Sequence, residues 1–130
     1  MSTLERAIAI AAEAHAGQRD KAGFPYVLHA LRVMLNVASE EERIVAALHD
    51  VVEDCPAWNF ERLRGEGFSP RVIAALESVT KRDREDYEAF VRRAASNPIG
   101  RAVKLADLRD NCDLSRIADP SERDRERLRK

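Results

Sequence analysis

His49, Asp50, Glu53 and Asp54 fall within the single run His49-Asp50-Val51-Val52-Glu53-Asp54. Side chains four apart share a helix face, so His49 stands over Glu53 and Asp50 over Asp54, giving two adjacent polar stripes. The neighbours Ala46, Ala47, Leu48, Val51 and Val52 are apolar. Four ionisable groups in such a setting are costly to bury unless a cation or a ligand compensates them, and a divalent metal is the economical solution. The plainer alternative is an amphipathic helix whose charged stripe faces water.

Two other places carry residues that can join such a site. Lys104, Asp107, Asn111 and Leu114 fall on one face of a second helical segment. Asp107 can therefore complete a metal shell, and Asn111, one turn on, can reach a substrate. Taken alone, Lys104 and Asp107 also fit a surface ion pair. His29 follows Gly23-Phe24-Pro25-Tyr26-Val27-Leu28 and lies in the first turns of a segment that otherwise reads as core. A buried imidazole needs a partner, which a core histidine finds in the protein and a ligand histidine in a metal. His15 is expected as a cation at the C-terminus of the first helix, outside the site.

The elements that must hold these residues are helical. Ala is abundant, Gly and Pro number five each, and alternating β-branched runs are almost absent, which predicts an all-α fold. Ser2 before Glu5 and Ser39 before Glu42 have capping-box spacing, and Ser69-Pro70 and Asn97-Pro98 place a cap before a first-turn proline. Apolar residues three and four apart predict helices over 3–15, 27–37, 40–54, 60–65, 70–80, 85–96 and 98–117, a bundle of six or seven around one core. Gly17 to Pro25 reads as a long irregular connection of the kind that touches ligand. Residues 119–130 are nearly all charged, with Ser121 and Asp124 at capping spacing and Glu126 paired with Lys130. The chain thus divides into a bundle over 1–118 and a charged helical end over 119–130.

A length of 130 residues suits one core, and 45% hydrophobic with 35% charged residues excludes the disordered class. Twenty-two basic against twenty-three acidic side chains leave a formal charge of −1. That balance removes the electrostatic case for a nucleic-acid or membrane-surface binder, so any phosphate site must be local. The longest apolar run, Ala7 to Ala12, is too short for a signal peptide core or a membrane span. The expectation is a cytoplasmic protein without nucleic-acid or membrane partners. Cys55 and Cys112 lack CxxC spacing and read as reduced and incidental.

The order His29, His49-Asp50, Asp107 resembles the H…HD…D signature of the HD-domain metal phosphohydrolases. The stretches His15-Ala16-Gly17-Gln18, Gly23-x-Pro25-Tyr26-x-x-His29, His49 to Asp54, Val79-Thr80-Lys81, and Lys104-Leu105-Ala106-Asp107 with Asn111 look like the alarmone-hydrolase branch. That branch comprises the hydrolase domain of the Rel/SpoT enzymes and the small stand-alone alarmone hydrolases. The resemblance spans about residues 5 to 117. It implies a manganese ion, or another divalent ion, held by His29, His49, Asp50 and Asp107, with Glu53 and Asp54 as the acidic pair that activates water. Two imidazoles and two carboxylates suit a mid-series divalent ion, whose octahedral shell keeps places for water and a phosphate oxygen. The metal would lower the water's pKa while Glu53 or Asp54 takes the proton. Arg19, Lys21, Lys81 and Lys104 are then candidate phosphate partners, and Tyr26 and Asn111 candidate nucleotide contacts. The implied reaction removes the 3′-pyrophosphate of ppGpp, pppGpp or adenosine analogues, giving GDP or GTP and pyrophosphate.

Three positions depart from the pattern of that branch. Asp20 stands where members commonly carry a basic residue, and an acid there is expected to weaken anion binding locally. His29-Ala30 replaces His-Pro, and Leu108-Arg109 reverses the usual order, which turns Arg109 elsewhere. Two alternatives stay open, an HD phosphohydrolase of another nucleotide and a catalytically weak nucleotide-binding module. The intact Glu53-Asp54 pair argues against the second, because binding alone needs no base.

Overall fold

Ile44, Val45, Ala46, Ala47 and Leu48 are all buried, so this stretch has no solvent face and must run through the middle of the fold. In the computed structural model, which describes residues 2–112, eight helical segments surround it. They are α1 (Leu4–Ala14), α2 (Val27–Leu35), α3 (Glu40–Leu48), α4 (Val51–Asp54), α5 (Phe60–Gly65), α6 (Pro70–Ser78), α7 (Tyr87–Ala95) and α8 (Pro98–Asn111). Helix α3 packs against α1, α2, α6 and α8, and Ile10, Val33, Leu76 and Val103 supply fully buried side chains from those four neighbours. The fold is all-α: among the described residues the only β feature is an isolated antiparallel bridge between Arg19 and Pro25. The expected continuation of α8 to 117, the boundary at 118 and the charged helix over 119–130 lie outside the described residues.

Local chemistry sets most helix starts. Ser39 Oγ accepts the Glu42 N–H (3.1 Å) while Glu42 Oε1 accepts the Ser39 N–H (2.8 Å), the reciprocal box expected there. Ser69 and Asn97 cap α6 and α8 ahead of their prolines. The first helix differs from expectation: Thr3, not Ser2, is its cap, accepting the Arg6 N–H at 3.1 Å. The Ser2 N–H instead donates to Gly67 O (2.9 Å), which ties the start of the chain to the end of α5.

The helix expected over 40–54 is divided. The His49 side chain donates through Nδ1 to Ala46 O at 2.6 Å, while the His49 N–H reaches that same oxygen only at 3.5 Å. A side chain competing for a helix carbonyl loosens the ladder, so α3 ends at Leu48 and α4 restarts at Val51. This division is why eight segments stand where six or seven were expected.

The connection over 17–25 is a folded turn rather than an irregular loop. Asp20 Oδ1 accepts the N–H groups of Ala22 (2.9 Å) and Phe24 (3.0 Å), and the Asp20 N–H donates to Phe24 O (2.9 Å). Gly23 sits at φ 86°, a conformation that costs a residue with a Cβ. Asp20 therefore shapes the turn with its carboxylate directed at the loop's own amides.

Gly100 is required for a different reason, the close approach of α8 to α6. A Cβ there would lie 2.1 Å from Ser78 Oγ and 3.2 Å from Ala94 O, and Ser78 Oγ is already committed to Ala75 O at 2.6 Å. Gly100→Ala is expected to lower the urea midpoint, since overpacking costs about 1–3 kcal/mol and helix propensity returns about 1 kcal/mol. Adding Ser78→Ala should recover part of the loss; no recovery would mean that the clash lies with the Ala94 carbonyl.

Candidate metal centre

Three parts of the bundle converge on one point. His29 comes from the first turn of α2, His49 and Asp50 from the α3–α4 junction, and Asp107 from the last turns of α8. His29 Nε2 lies 2.8 Å and His49 Nε2 3.2 Å from Asp107 Oδ1. Asp50 Oδ2 is 3.1 Å from His49 Nε2 and 3.6 Å from His29 Nε2. One ligand atom from each of the four residues falls within 4.8 Å of all the others. Both imidazoles are 4% exposed, so neither forms a water-facing stripe.

The outer nitrogens explain the orientation of the rings. His29 Nδ1 donates to Asp110 Oδ2, and His49 Nδ1 to Ala46 O. With Nδ1 occupied on the outside, both Nε2 atoms point inward at the two carboxylates, the pose that metal-binding histidines adopt. Tyr26 Oη donates to Asp50 Oδ2 at 2.7 Å and steadies the fourth group. Two imidazole nitrogens and two carboxylate oxygens converging in a buried corner fit a divalent ion.

The electrostatics point the same way. Burial opposes charge on His49, yet Asp50 and Asp107 hold its pKa well above the usual histidine value. Burial likewise opposes charge on His29, and Asp107 and Asp110 raise it. Burial works against the ionised Asp50 and Asp107 as well; His49 still brings Asp50 down to about 2, and the two imidazoles hold Asp107 far below the ordinary carboxylate range. The raised pKa values favour a proton on each Nε2, in the place that a cation would take. Binding a divalent ion must expel them, so affinity should rise with pH through the ordinary histidine range and flatten only above the raised pKa values. Titration calorimetry with Mn2+ in buffers of different ionisation enthalpy should show net proton release, larger at lower pH. Proton uptake would contradict the assignment.

A cavity of about 120 Å³ opens onto the cluster, floored by His49, Asp50 and Asp107 and rimmed by Tyr26, Glu53, Lys104 and Asn111. Lys104 Nζ lies 3.5 Å from Asp107 Oδ2 and 4.8 Å from the Phe90 ring centroid, and Asn111 Nδ2 donates to Asp107 Oδ1 at 3.4 Å. Burial, together with the negative charges of Asp50 and Asp54, raises the Glu53 pKa despite the Lys81 N–H, which its carboxylate accepts at 2.7 Å.

The remaining expected site residues lie elsewhere. Asp54 lines a neighbouring cleft with Gln18, Cys55 and Arg62, its pKa raised by burial and by Asp50. Arg19 Nη1 donates to Gly23 O at 2.8 Å and braces the turn. The exposed Lys21 and Lys81 do not line the cavity, and Lys81 meets the site through its main-chain amide. His15 caps the C-terminus of α1 as expected, but it is buried: it is 2% exposed, bonded through Nδ1 to Gln18 Oε1 (2.8 Å) and packed 5.1 Å from the Tyr26 ring.

Sequence reasoning missed Asp110 and Arg32. Arg32 Nε and Nη2 grip the two oxygens of Asp110 at 2.7 and 3.2 Å, and Asp110 in turn fixes His29. The available signal was spacing, because Asp110 follows Asp107, and Arg32 follows His29, by one helical turn. Asp110→Ala should weaken Mn2+ binding by about 10–100-fold, the usual effect of removing an outer partner of a ligand histidine. Unchanged affinity by calorimetry would show that helix packing alone sets the ring.

The family model described as HD domain matches residues 7–112, a range that contains all four converging residues. The chain belongs to the HD-domain family. This HD domain is 35% identical over 120 residues to a guanosine-3′,5′-bis(diphosphate) 3′-pyrophosphohydrolase of Aquifex aeolicus (strain VF5), covering 83% of this chain and 17% of that protein. It is 34% identical over 94 residues to the bifunctional (p)ppGpp synthase/hydrolase SpoT of Escherichia coli (strain K12), covering 66% of this chain and 13% of that protein. The HD domain therefore spans less than a fifth of the length of these relatives. A solved structure described as "A metazoan ortholog of SpoT hydrolyzes ppGpp and plays a role in starvation responses" superposes with a TM-score of 0.77 at 26% identity, covering 98% of this chain and 79% of that one.

Proposed function

We propose that this HD domain is a metal-dependent hydrolase that removes the 3′-pyrophosphate from ppGpp, pppGpp or their adenosine analogues, giving the nucleoside 5′-di- or triphosphate and pyrophosphate. The observation that carries the reading is the convergence of His29, His49, Asp50 and Asp107 beneath a cavity that also holds Glu53, Lys104 and Asn111. The substrate class is that of the relatives, a guanosine-3′,5′-bis(diphosphate) 3′-pyrophosphohydrolase and a SpoT ortholog that hydrolyzes ppGpp. His29, His49, Asp50 and Asp107 would hold the ion, and manganese suits their mixed nitrogen and oxygen donors. When bound, a divalent ion lowers the pKa of water and draws charge off a phosphoryl oxygen.

The chain's own groups then divide the work. Glu53 accepts the proton of the attacking water; its raised pKa brings it nearer neutrality, which makes it a better acceptor. Asp54 is the second member of the acidic pair and adds its charge to the field at Glu53. Lys104 offers a positive charge to the departing pyrophosphate, and Asn111 and Tyr26 contact the nucleotide from the cavity rim. Arg19, Lys21 and Lys81 lie further out as partners for the remaining phosphates. We read the protein as cytoplasmic, acting on a diffusible nucleotide; no helix among the described residues is long and apolar enough to cross a membrane.

The test is product identification. Manganese-loaded protein is incubated with ppGpp, pppGpp, ppApp and common nucleoside mono- and triphosphates. Pyrophosphate released only from the 3′-pyrophosphorylated compounds supports the reading. Inorganic phosphate from ordinary nucleotides would make it a phosphohydrolase of another nucleotide, and saturable binding without turnover a binding module.

A further inference from the structure

Away from the cluster, a dense set of directed bonds surrounds Arg93 of α7. Its Nε donates to Glu85 Oε2 (3.0 Å), its Nη2 to Glu85 Oε1 (2.8 Å) and to Thr80 O (2.7 Å), and its Nη1 to Glu77 O (2.5 Å). The two side chains are only 17% and 11% exposed, so this forked pair is partly shielded from water and salt. Glu85 Oε1 also accepts the Arg82 N–H at 3.0 Å. Together these bonds close the turn between α6 and α7. Within that turn Arg84 holds a φ of 62°, a left-handed conformation that a non-glycine residue keeps only where its surroundings over-determine it.

The turn reaches the site through Val79, which lines the cavity, and through one directed bond. The Lys81 N–H donates to Glu53 Oε1 at 2.7 Å, the one hydrogen bond that the Glu53 side chain makes among the described residues. Glu53 projects from α4, a four-residue helix too short to fix a long side chain by itself. With Oε1 occupied by the amide, Oε2 is left with its lone pairs for a water proton.

We infer that the Arg93–Glu85 pair is a clasp that positions Glu53, by holding the turn in the shape that aims the Lys81 amide at its carboxylate. Neither clasp residue lines the cavity; both act through Lys81, as positioning residues. The inference rests on Glu53 being the proton acceptor under the proposed function.

The full manganese-loaded chain tests it. Hydrogen–deuterium exchange resolved to the Lys81 amide should accelerate by at least about tenfold in Arg93→Gln, while amides of α2 and α3 keep their rates. With ppGpp, kcat should fall about tenfold, KM should stay within about twofold, and Mn2+ affinity should not change. Glu85→Gln should act in the same direction and serves if Arg93→Gln does not fold. Combining Arg93→Gln with Glu53→Gln should slow turnover no further than Glu53→Gln alone, because both act through one carboxylate. Additive losses, or an unchanged Lys81 exchange rate, would overturn the clasp. Full turnover in Glu53→Gln by itself would overturn the base assignment instead, and the exchange result would still decide whether the clasp holds the turn.

Discussion

Asp107→Ala should lose metal and turnover together. Asp107 Oδ1 lies within 3.2 Å of both imidazole nitrogens, and no other carboxylate approaches both rings so closely. Its removal leaves Asp50 as the one anionic ligand and strips His29 and His49 of the partner that offsets part of the cost of burying them. Elemental analysis of protein purified without chelator should find little manganese. Turnover should fall by about a thousandfold, the upper end of what loss of one oriented electrostatic group costs. Helix content by circular dichroism should be retained, because the side chain lies at the cavity rather than within the apolar core. A variant that keeps its metal while losing turnover would place Asp107 on the substrate.

Glu53→Gln is the complementary case. The substitution preserves shape, and the amide oxygen of Gln can still accept the Lys81 N–H that Glu53 Oε1 accepts at 2.7 Å. Only the capacity to take a proton is removed. Metal content should stay at the wild-type level while kcat falls by about 10²–10⁴, the range expected for a positioned general base. Parallel loss of metal in the two variants would make Glu53 a ligand and require a different proton acceptor. The comparison is informative because Glu53 lies at the cavity rim, whereas Asp107 belongs to the convergent set.

Much of this was legible in the chain itself. The Ser39–Glu42 box, the Ser69-Pro70 and Asn97-Pro98 caps and the apolar spacing of α1, α2, α6 and α7 act within a few residues, so they can be read locally. His49 and Asp50 stood out because ionisable groups in an otherwise apolar helix need compensation, and His29 and Asp107 joined them through an order that resembles a known signature. Some readings failed because a side chain turned on its own backbone. His49 took the Ala46 carbonyl and divided the expected helix, and Asp20 folded the loop that composition alone had left irregular. His15 stands at the helix end where the sequence put it, but its burial against Tyr26 and Gln18 was not legible there.

The sequence by itself determined an all-α bundle and the caps of α3, α6 and α8, because helix periodicity and capping are properties of neighbouring residues. The proposed set of metal-holding groups came from its resemblance to a known signature. Tertiary structure alone decided which of those groups meet. His29 finds Asp107 and Asp110 across separations of 78 and 81 residues, and Glu53 finds the Lys81 amide across 28. Such pairings depend on how α2, α4 and α8 cross around the central helix, and crossing geometry is set by the packing of whole faces, which no local pattern encodes.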